Sequence, residues 1–148
     1  MYKDLISINR VSNLHPLMRS KVFHLLEIAK KEGIDLRVTK DGHFRSFDEQ
    51  NALYAKTPKV TNARGGESFH NYGLAVDLVV MDNGQPVWDY KDSRWSKIGK
   101  IGAKVGLNWG GNWNKPDRPH FEYPVSLSLL QAKYRNGDID KNNFVNLT

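Results

Sequence analysis

No cysteine occurs anywhere in the 148 residues. That excludes disulfides and thiolate metal ligands, so a bound metal must rely on imidazole and carboxylate groups. No apolar run approaches the roughly 20 residues needed to cross a bilayer, and no membrane insertion is expected. The opening Met1-Tyr2-Lys3-Asp4 lacks the apolar core of a secretory signal. Synthesis in the cytoplasm is therefore expected, and work beyond the membrane would need release by another factor. Acidic residues are the minority, 16 against 22 Lys and Arg, which gives a net charge of +6 and a pI near 9.5. Such a surface is drawn to anionic polymers in general. The lysines are scattered and no nucleic-acid motif is present, so no nucleic-acid partner is expected.

What is present reads as one folded unit. Hydrophobic residues make up 39% and charged residues 26%, the balance of a globular chain that buries about two-thirds of its unfolded surface. Met1 to Asn13 carries no pattern that assigns an element. From Leu14-His15-Pro16 a helix is predicted, with Met18, Val22, Leu25, Leu26 and Ala29 on one face and Gly33 closing it. Ile34, Leu36 and Val38 alternate with Asp35 and Arg37 as a half-buried strand, and Asp41-Gly42 supplies a turn. Ser46-x-x-Glu49 is a capping box that starts a helix through Leu53 and Tyr54. Arg45 therefore stands at the end of a connection, aimed in front of the sheet. His24 and His43 have no matching ligand spacing and read as non-catalytic.

Pro58 to Glu67 is a polar loop. Asp82-Asn83-Gly84 turns the chain into a return strand, Pro86-Val87-Trp88. A further helix runs from Asp92 or Ser93 to Val105, with Trp95, Ile98, Ile101 and Val105 inward and Gly106 ending it. Leu107-Asn108-Trp109 reads as a strand and Gly110-Gly111-Asn112-Trp113-Asn114 as a loop. Trp109 and Trp113 either line a cleft or fill the core. The tail holds a short helix over Leu127, Leu130 and Tyr134. Asp138-x-Asp140-x-Asn142 opens like a calcium loop, but Asn143 stands where glycine is required, and calcium is not expected.

The chemistry concentrates in Glu67 to Val80 together with Asp117 to Glu122. Leu74 to Val80 is apolar except for Asp77, and a carboxylate inside such a strand is costly without a compensating cation. His70 lies seven positions earlier, across Gly73, where the chain can turn. His120 follows Pro119 into a short strand, His120-Phe121-Glu122-Tyr123. If that strand pairs beside Leu74–Val80, two imidazoles and one carboxylate converge, a set that suits Zn²⁺ with a fourth position open.

Ser68-x-His70-x6-Asp77, followed forty residues later by Asp117-x-x-His120, resembles the zinc peptidoglycan peptidases. That family includes D-alanyl-D-alanine carboxypeptidases and dipeptidases and the phage endolysins that cut L-alanyl-D-glutamate bonds. Phe44 to Gln50, Leu53-Tyr54-Ala55 and Trp109 to Trp113 share in the resemblance, which spans about Leu14 to Tyr123. It implies an α+β fold of the lysostaphin, D-Ala-D-Ala peptidase and hedgehog type, a small mostly antiparallel sheet carrying the metal site with flanking helices. One catalytic domain is expected over 1–148, its core over about 14–123 and its tail over 125–148, with no separate wall-binding domain and a monomeric state.

The resemblance also assigns roles. His70, Asp77 and His120 would hold one zinc, Asp117 would be the catalytic carboxylate, and Arg45 would face the substrate carbonyl or carboxylate. Ser68 would hydrogen-bond the substrate peptide, unless it only caps its own turn. Trp109 is a candidate substrate-binding residue, and Glu122, on the strand face of His120, is a candidate partner for a ligand histidine. Read without the resemblance, Asp117 is a turn residue and Arg45 a surface arginine. The substrate expected is bacterial peptidoglycan. The run Phe44 to Tyr54, Trp109-Gly110-Gly111 and the missing export signal favour a phage-type L-alanyl-D-glutamate endolysin. A D-alanyl-D-alanine carboxypeptidase is the alternative, and a non-catalytic zinc module or a basic nucleic-acid binder are the remaining classes.

Overall fold

The apolar run around Asp77 forms the longest strand of the computed structural model, which describes residues 1–148. This strand, β2 (Ala75–Asp82), has neighbours on both edges and joins the two halves of the sheet. One edge takes β1 (Leu36–Val38), with Val38 opposite Leu78. The other takes β5 (His120–Glu122) and β3 (Gln85–Val87), placed end to end: His120 lies opposite Asp77 and Val87 opposite Val80. A two-residue strand, β4 (Asn108–Trp109), completes the sheet beside β5, and every pairing is antiparallel. The expected α+β class and sheet are borne out.

Alternation assigns the two faces of this sheet. Val76, Leu78, Val80 and Phe121 point to one side and are fully buried. Two helices cover that side: α2 (Pro16–Lys31), through Met18, Val22, Leu25, Leu26 and Ala29, and α4 (Arg94–Lys104), through Trp95, Ile98 and Ile101. Asp77, His120 and Glu122 point to the other side, where connections and a shorter helix, α3 (Phe47–Tyr54), leave a cleft. The Ser46–Glu49 capping box is formed in both directions, at 3.0 and 2.9 Å. The Asn83-Gly84 turn has both residues at positive φ, as a two-residue hairpin requires.

The opening residues, which gave no pattern in sequence, form α1 (Leu5–Val11) against β1. Tyr2 is buried and donates to the Leu36 carbonyl at 2.6 Å, while Asp4 pairs with Arg37 at 3.0 Å. Ser7 Oγ accepts from Val38 N at 2.9 Å, satisfying a strand edge that would otherwise be open. These contacts join backbone groups to polar side chains, so hydrophobic periodicity does not reveal them. At the other end α5 (Leu127–Arg135) buries Leu130, and Val145 joins the core while its carbonyl accepts from His15 Nε2 at 2.8 Å. Asp140 takes the backbone N–H groups of Asn142 and Phe144, and Asp138 binds Lys133 and Asn146, so these acids are committed within a tight turn.

Phe121 sits on the reverse of the strand that carries His120. Phe121→Ala should cost about 3–5 kcal/mol, the usual loss for emptying a buried aromatic site, measured as a fall in the urea midpoint without a change in slope.

Candidate metal centre

Three segments bring the candidate ligands together. Ser68 caps a single 3₁₀ turn, Phe69–Tyr72, accepting from His70 N at 3.2 Å, and Asn71 returns the bond by accepting from Ser68 N. Gly73 ends that turn at φ +68°, a left-handed conformation that costs glycine little, and throws the chain into β2. His70 is thus held just ahead of the strand whose third residue is Asp77. The antiparallel register of β5 sets His120 directly opposite.

The ligand atoms of His70, Asp77 and His120 lie within 4.8 Å of one another. Asp77 Oδ1 is 3.4 Å from His70 Nε2 and 3.2 Å from His120 Nδ1. The far nitrogen of each ring is already engaged. His70 Nδ1 is 2.9 Å from the His43 carbonyl, which only accepts, so this nitrogen carries the proton. His120 Nε2 donates to Glu122 Oε1 at 2.7 Å. In their neutral forms both rings then aim a lone pair at an anionic oxygen. Only a cation relieves that arrangement.

The titration of the bare site says the same. Burial pulls the His120 imidazole down, but hydrogen bonds to Asp77 and Glu122 outweigh it and bring it up to about 9. Burial pushes Asp77 up, yet the charges and hydrogen bonds of His70 and His120 hold its carboxyl far below the usual range. A proton therefore occupies the place that a metal would take. The donor set, two imidazole nitrogens and one carboxylate oxygen, fits zinc of the catalytic kind and lacks the oxygen-rich shell calcium needs.

Around this triad, Arg45 is anchored from three directions. Its Nε donates to the Asp41 carbonyl at 2.8 Å, Nη1 to Gln50 Oε1 at 3.2 Å and Nη2 to Asp77 Oδ2 at 3.5 Å. Asp117 stands at the rim with its side chain open to water. The protein behind it still removes part of its hydration, which raises its carboxyl above the usual range; the Asp77 charge adds to this, while His120, His70 and Arg45 oppose it. Glu122 is in the position expected for a partner of a ligand histidine.

Two candidates are placed differently. Trp109 pairs with Phe121, so it faces the buried side, stacks on that ring at 6.5 Å and donates to the Arg118 carbonyl at 2.7 Å. Trp113 is the tryptophan beside the triad, its ring 5.1 Å from that of His120 and 43% exposed. Ser68 Oγ caps the turn as an acceptor, which leaves its hydroxyl hydrogen free to donate.

Other contributors carried no chemical signal in sequence. Gln50 is fully buried and ties Arg45 to the Ala63 carbonyl at 3.0 Å, and Asn71 donates to the Arg45 carbonyl at 3.1 Å. Gly42 and Gly110 let backbone approach the site. A Cβ on Gly42 would meet Asp77 Cβ at 2.6 Å, and one on Gly110 would meet the Asp117 carbonyl at 2.5 Å and His120 Cβ at 3.2 Å. Asp41-Gly42 was readable only as a turn.

Two imidazoles and a carboxylate converging in this way are the donor set of a metal-dependent hydrolase. Comparison with known proteins is more specific. A family model described as D-alanyl-D-alanine carboxypeptidase matches residues 61–123. The peptidoglycan L-alanyl-D-glutamate endopeptidase CwlK of Bacillus subtilis is 40% identical over 125 residues, covering 75% of this chain and 74% of that protein. Two solved structures share the fold: the L-Ala D-Glu endopeptidase ChiX of Serratia marcescens, and the vancomycin-resistance D,D-pentapeptidase VanY in complex with Zn(II). ChiX has a TM-score of 0.65 at 22% identity, covering 83% of this chain and 90% of its own. VanY has 0.57 at 14%, covering 80% and 78%. The chain belongs to the family of peptidoglycan peptidases that these proteins represent.

The proton on His120 sets a pH dependence. Its raised value stabilises the metal-free fold fully below the unfolded value near 6.5, and that contribution is lost as pH rises through about 9. A zinc ion held by His120 Nδ1 would displace this proton, so binding at pH 7 should release about one proton per metal, seen as calorimetric enthalpies that vary with buffer ionisation heat. Equal enthalpies in all buffers would contradict the assignment.

Proposed function

We propose that the protein is a zinc-dependent endopeptidase that hydrolyses the L-alanyl-D-glutamate bond of peptidoglycan stem peptides. The observation that carries this reading is the convergence of three ligand atoms whose opposing ring nitrogens are both tied back. The choice of bond follows the kinship with CwlK. In this reading His70 Nε2, Asp77 Oδ1 and His120 Nδ1 hold the metal. When bound, zinc supplies Lewis acidity and lowers the pKa of water towards about 7.

The chain's own groups do the rest. Asp117 accepts a proton from the water whose oxygen attacks the scissile carbonyl carbon. It then delivers that proton to the departing nitrogen as the C–N bond breaks. Its raised carboxyl suits the second step. Arg45 has five N–H donors and spends one each on Asp41, Gln50 and Asp77. The other two are free for the oxyanion or for the acidic D-glutamyl side. Trp113 walls the cleft beside His120. Ser68, through its hydroxyl hydrogen, is a donor for the substrate peptide.

The resemblance of Phe44–Tyr54 and Trp109-Gly110-Gly111 to endolysins supports a lytic, phage-type role. Removal of terminal D-alanine is the second reading, favoured by the family model over residues 61–123. Digestion of purified sacculi separates the two. New N-terminal D-glutamyl peptides with falling turbidity are expected; release of D-alanine alone, with turbidity unchanged, would establish the carboxypeptidase instead.

Asp117→Asn should keep the metal and the fold while kcat falls by about 10² or more, the scale of losing a general base. A kcat near wild type would remove Asp117 from the chemistry. Gly110→Ala should lower activity by displacing the Asp117 loop, with metal content reduced as His120 is pushed.

A further inference from the structure

The loop after β3 carries an aromatic cluster that the hydrolytic centre does not use. Trp95 of α4 is 1% exposed, and its indole N–H donates to the Asp89 carbonyl at 2.9 Å. Trp88 lies over it, ring centroids 6.3 Å apart and planes 23° from parallel, and Tyr90 meets it edge-on at 5.4 Å. The outer surfaces stay open, with Trp88 and Tyr90 each 48% exposed. Single exposed aromatics need no explanation, but two rings braced on one buried indole make a rigid surface. The surrounding backbone is pinned as well. Lys91 N and Arg94 N donate to Asp89 and Asp92 at 3.0 and 2.9 Å, and the Arg94 guanidinium bridges Asp82 and Asp92, both at 2.7 Å. Contact with a ligand would therefore freeze little additional motion.

The cluster is close to the site along the sheet. Val87 opposes Val80 and His120 opposes Asp77 on the same edge of β2. Three β2 positions, about 10 Å of strand, separate the start of this loop from the metal centre, with Val80 facing the helices and Asp77 the opposite side. Arg118, the neighbour of Asp117, reaches this loop from the segment that leads into β5. Its guanidinium lies 5.3 Å from the Tyr90 ring centroid and makes no ion pair, so its donors remain available.

The Trp88 face, with the Tyr90 ring turned steeply to it and the Arg118 guanidinium over that ring, suits a ligand with an apolar C–H face and a polar edge. A pyranose ring has both. Its axial hydrogens meet the electron-rich indole face, and its hydroxyl and acetamido oxygens accept from arginine. A lipid surface would call for a larger apolar patch, and a nucleic acid for clustered cations. We propose that Trp88, Tyr90 and Arg118 form a saccharide platform that holds the amino-sugar backbone of the glycan strand while the attached peptide enters the hydrolytic centre. The proposal rests on peptidoglycan as substrate, and it is independent of which peptide bond is cut.

Titration of the wild-type protein with soluble N-acetylglucosamine oligomers tests it directly. The indole N–H resonance of Trp88 should shift saturably, and that of Trp109 should not. The W88A/Y90A variant, checked for folding and metal content, should lose about tenfold in turnover of intact sacculi, the scale of two stacking contacts. Its kcat/KM for a glycan-free stem peptide should stay within about twofold, because no group of the metal centre is touched. R118A, which leaves the aromatic stack intact, should weaken oligomer binding in the same direction. An unshifted Trp88 resonance would overturn the platform, as would equal losses on peptide and sacculi, or sacculus turnover unchanged in the variant. Failure to cut the L-alanyl-D-glutamate bond would leave the oligomer titration unaffected, so the two readings fail separately.

Discussion

Everything near the cleft is arranged around one carboxylate that has no business in a buried strand. Asp77 interrupts an apolar run, and its neighbours Val76 and Leu78 are fully buried. Charge in such a place persists only when it is paired and hydrogen-bonded. Two imidazoles take one oxygen and Arg45 takes the other. These partners come from the turn before β2, from the strand beside it and from the connection ahead of α3. Satisfying Asp77 therefore fixes three otherwise separate segments. The same demand makes the site a cation trap, because a proton on His120 or a metal in its place completes it.

Support behind the ligands is built from backbone as much as from side chains. The His43 carbonyl orients His70, although the His43 side chain takes no part and its Nδ1 is buried without a partner. Asn71 and Gln50 reach the main chain at Arg45 and Ala63. These bonds connect the polar loop before His70 to the arginine, so a change in that loop is felt at the guanidinium.

The candidate ligands, which the structure brings together, were legible on two grounds: a charged residue interrupts an apolar strand pattern, and its intervals to the two histidines resemble those of the zinc peptidoglycan peptidases. The main helices and strands were legible from periodicity: α2 and α4 have wide apolar faces, and β2 has an apolar run with one interruption. Trp109 and Trp113 show where such reading ends. β4 has only two residues, and with so short a strand the register against β5 decides which tryptophan faces the cleft. A slip of one residue would exchange them. Ser68, with a hydroxyl able to serve backbone or substrate, is ambiguous in sequence by its nature. α1 was unreadable because its attachments are Ser7, Asp4 and Tyr2 bonding to polar atoms of β1, and no apolar stripe announces them. Gly42 and Gly110 matter for the atom they lack, which only neighbouring coordinates disclose.

The turn at Gly73 has a further consequence for the order in which the site comes into being. His15 N donates to the Gly73 carbonyl at 2.9 Å, and the ring of Phe144 packs against His15 at 5.4 Å and lies under Arg19. The turn that aims His70 is thus braced by one segment made early and another made late. On a ribosome the histidines and Asp77 emerge well before Phe144 and Val145. The candidate centre reaches its braced form only after Phe144 has been added, so a chain that stops short of it lacks that support.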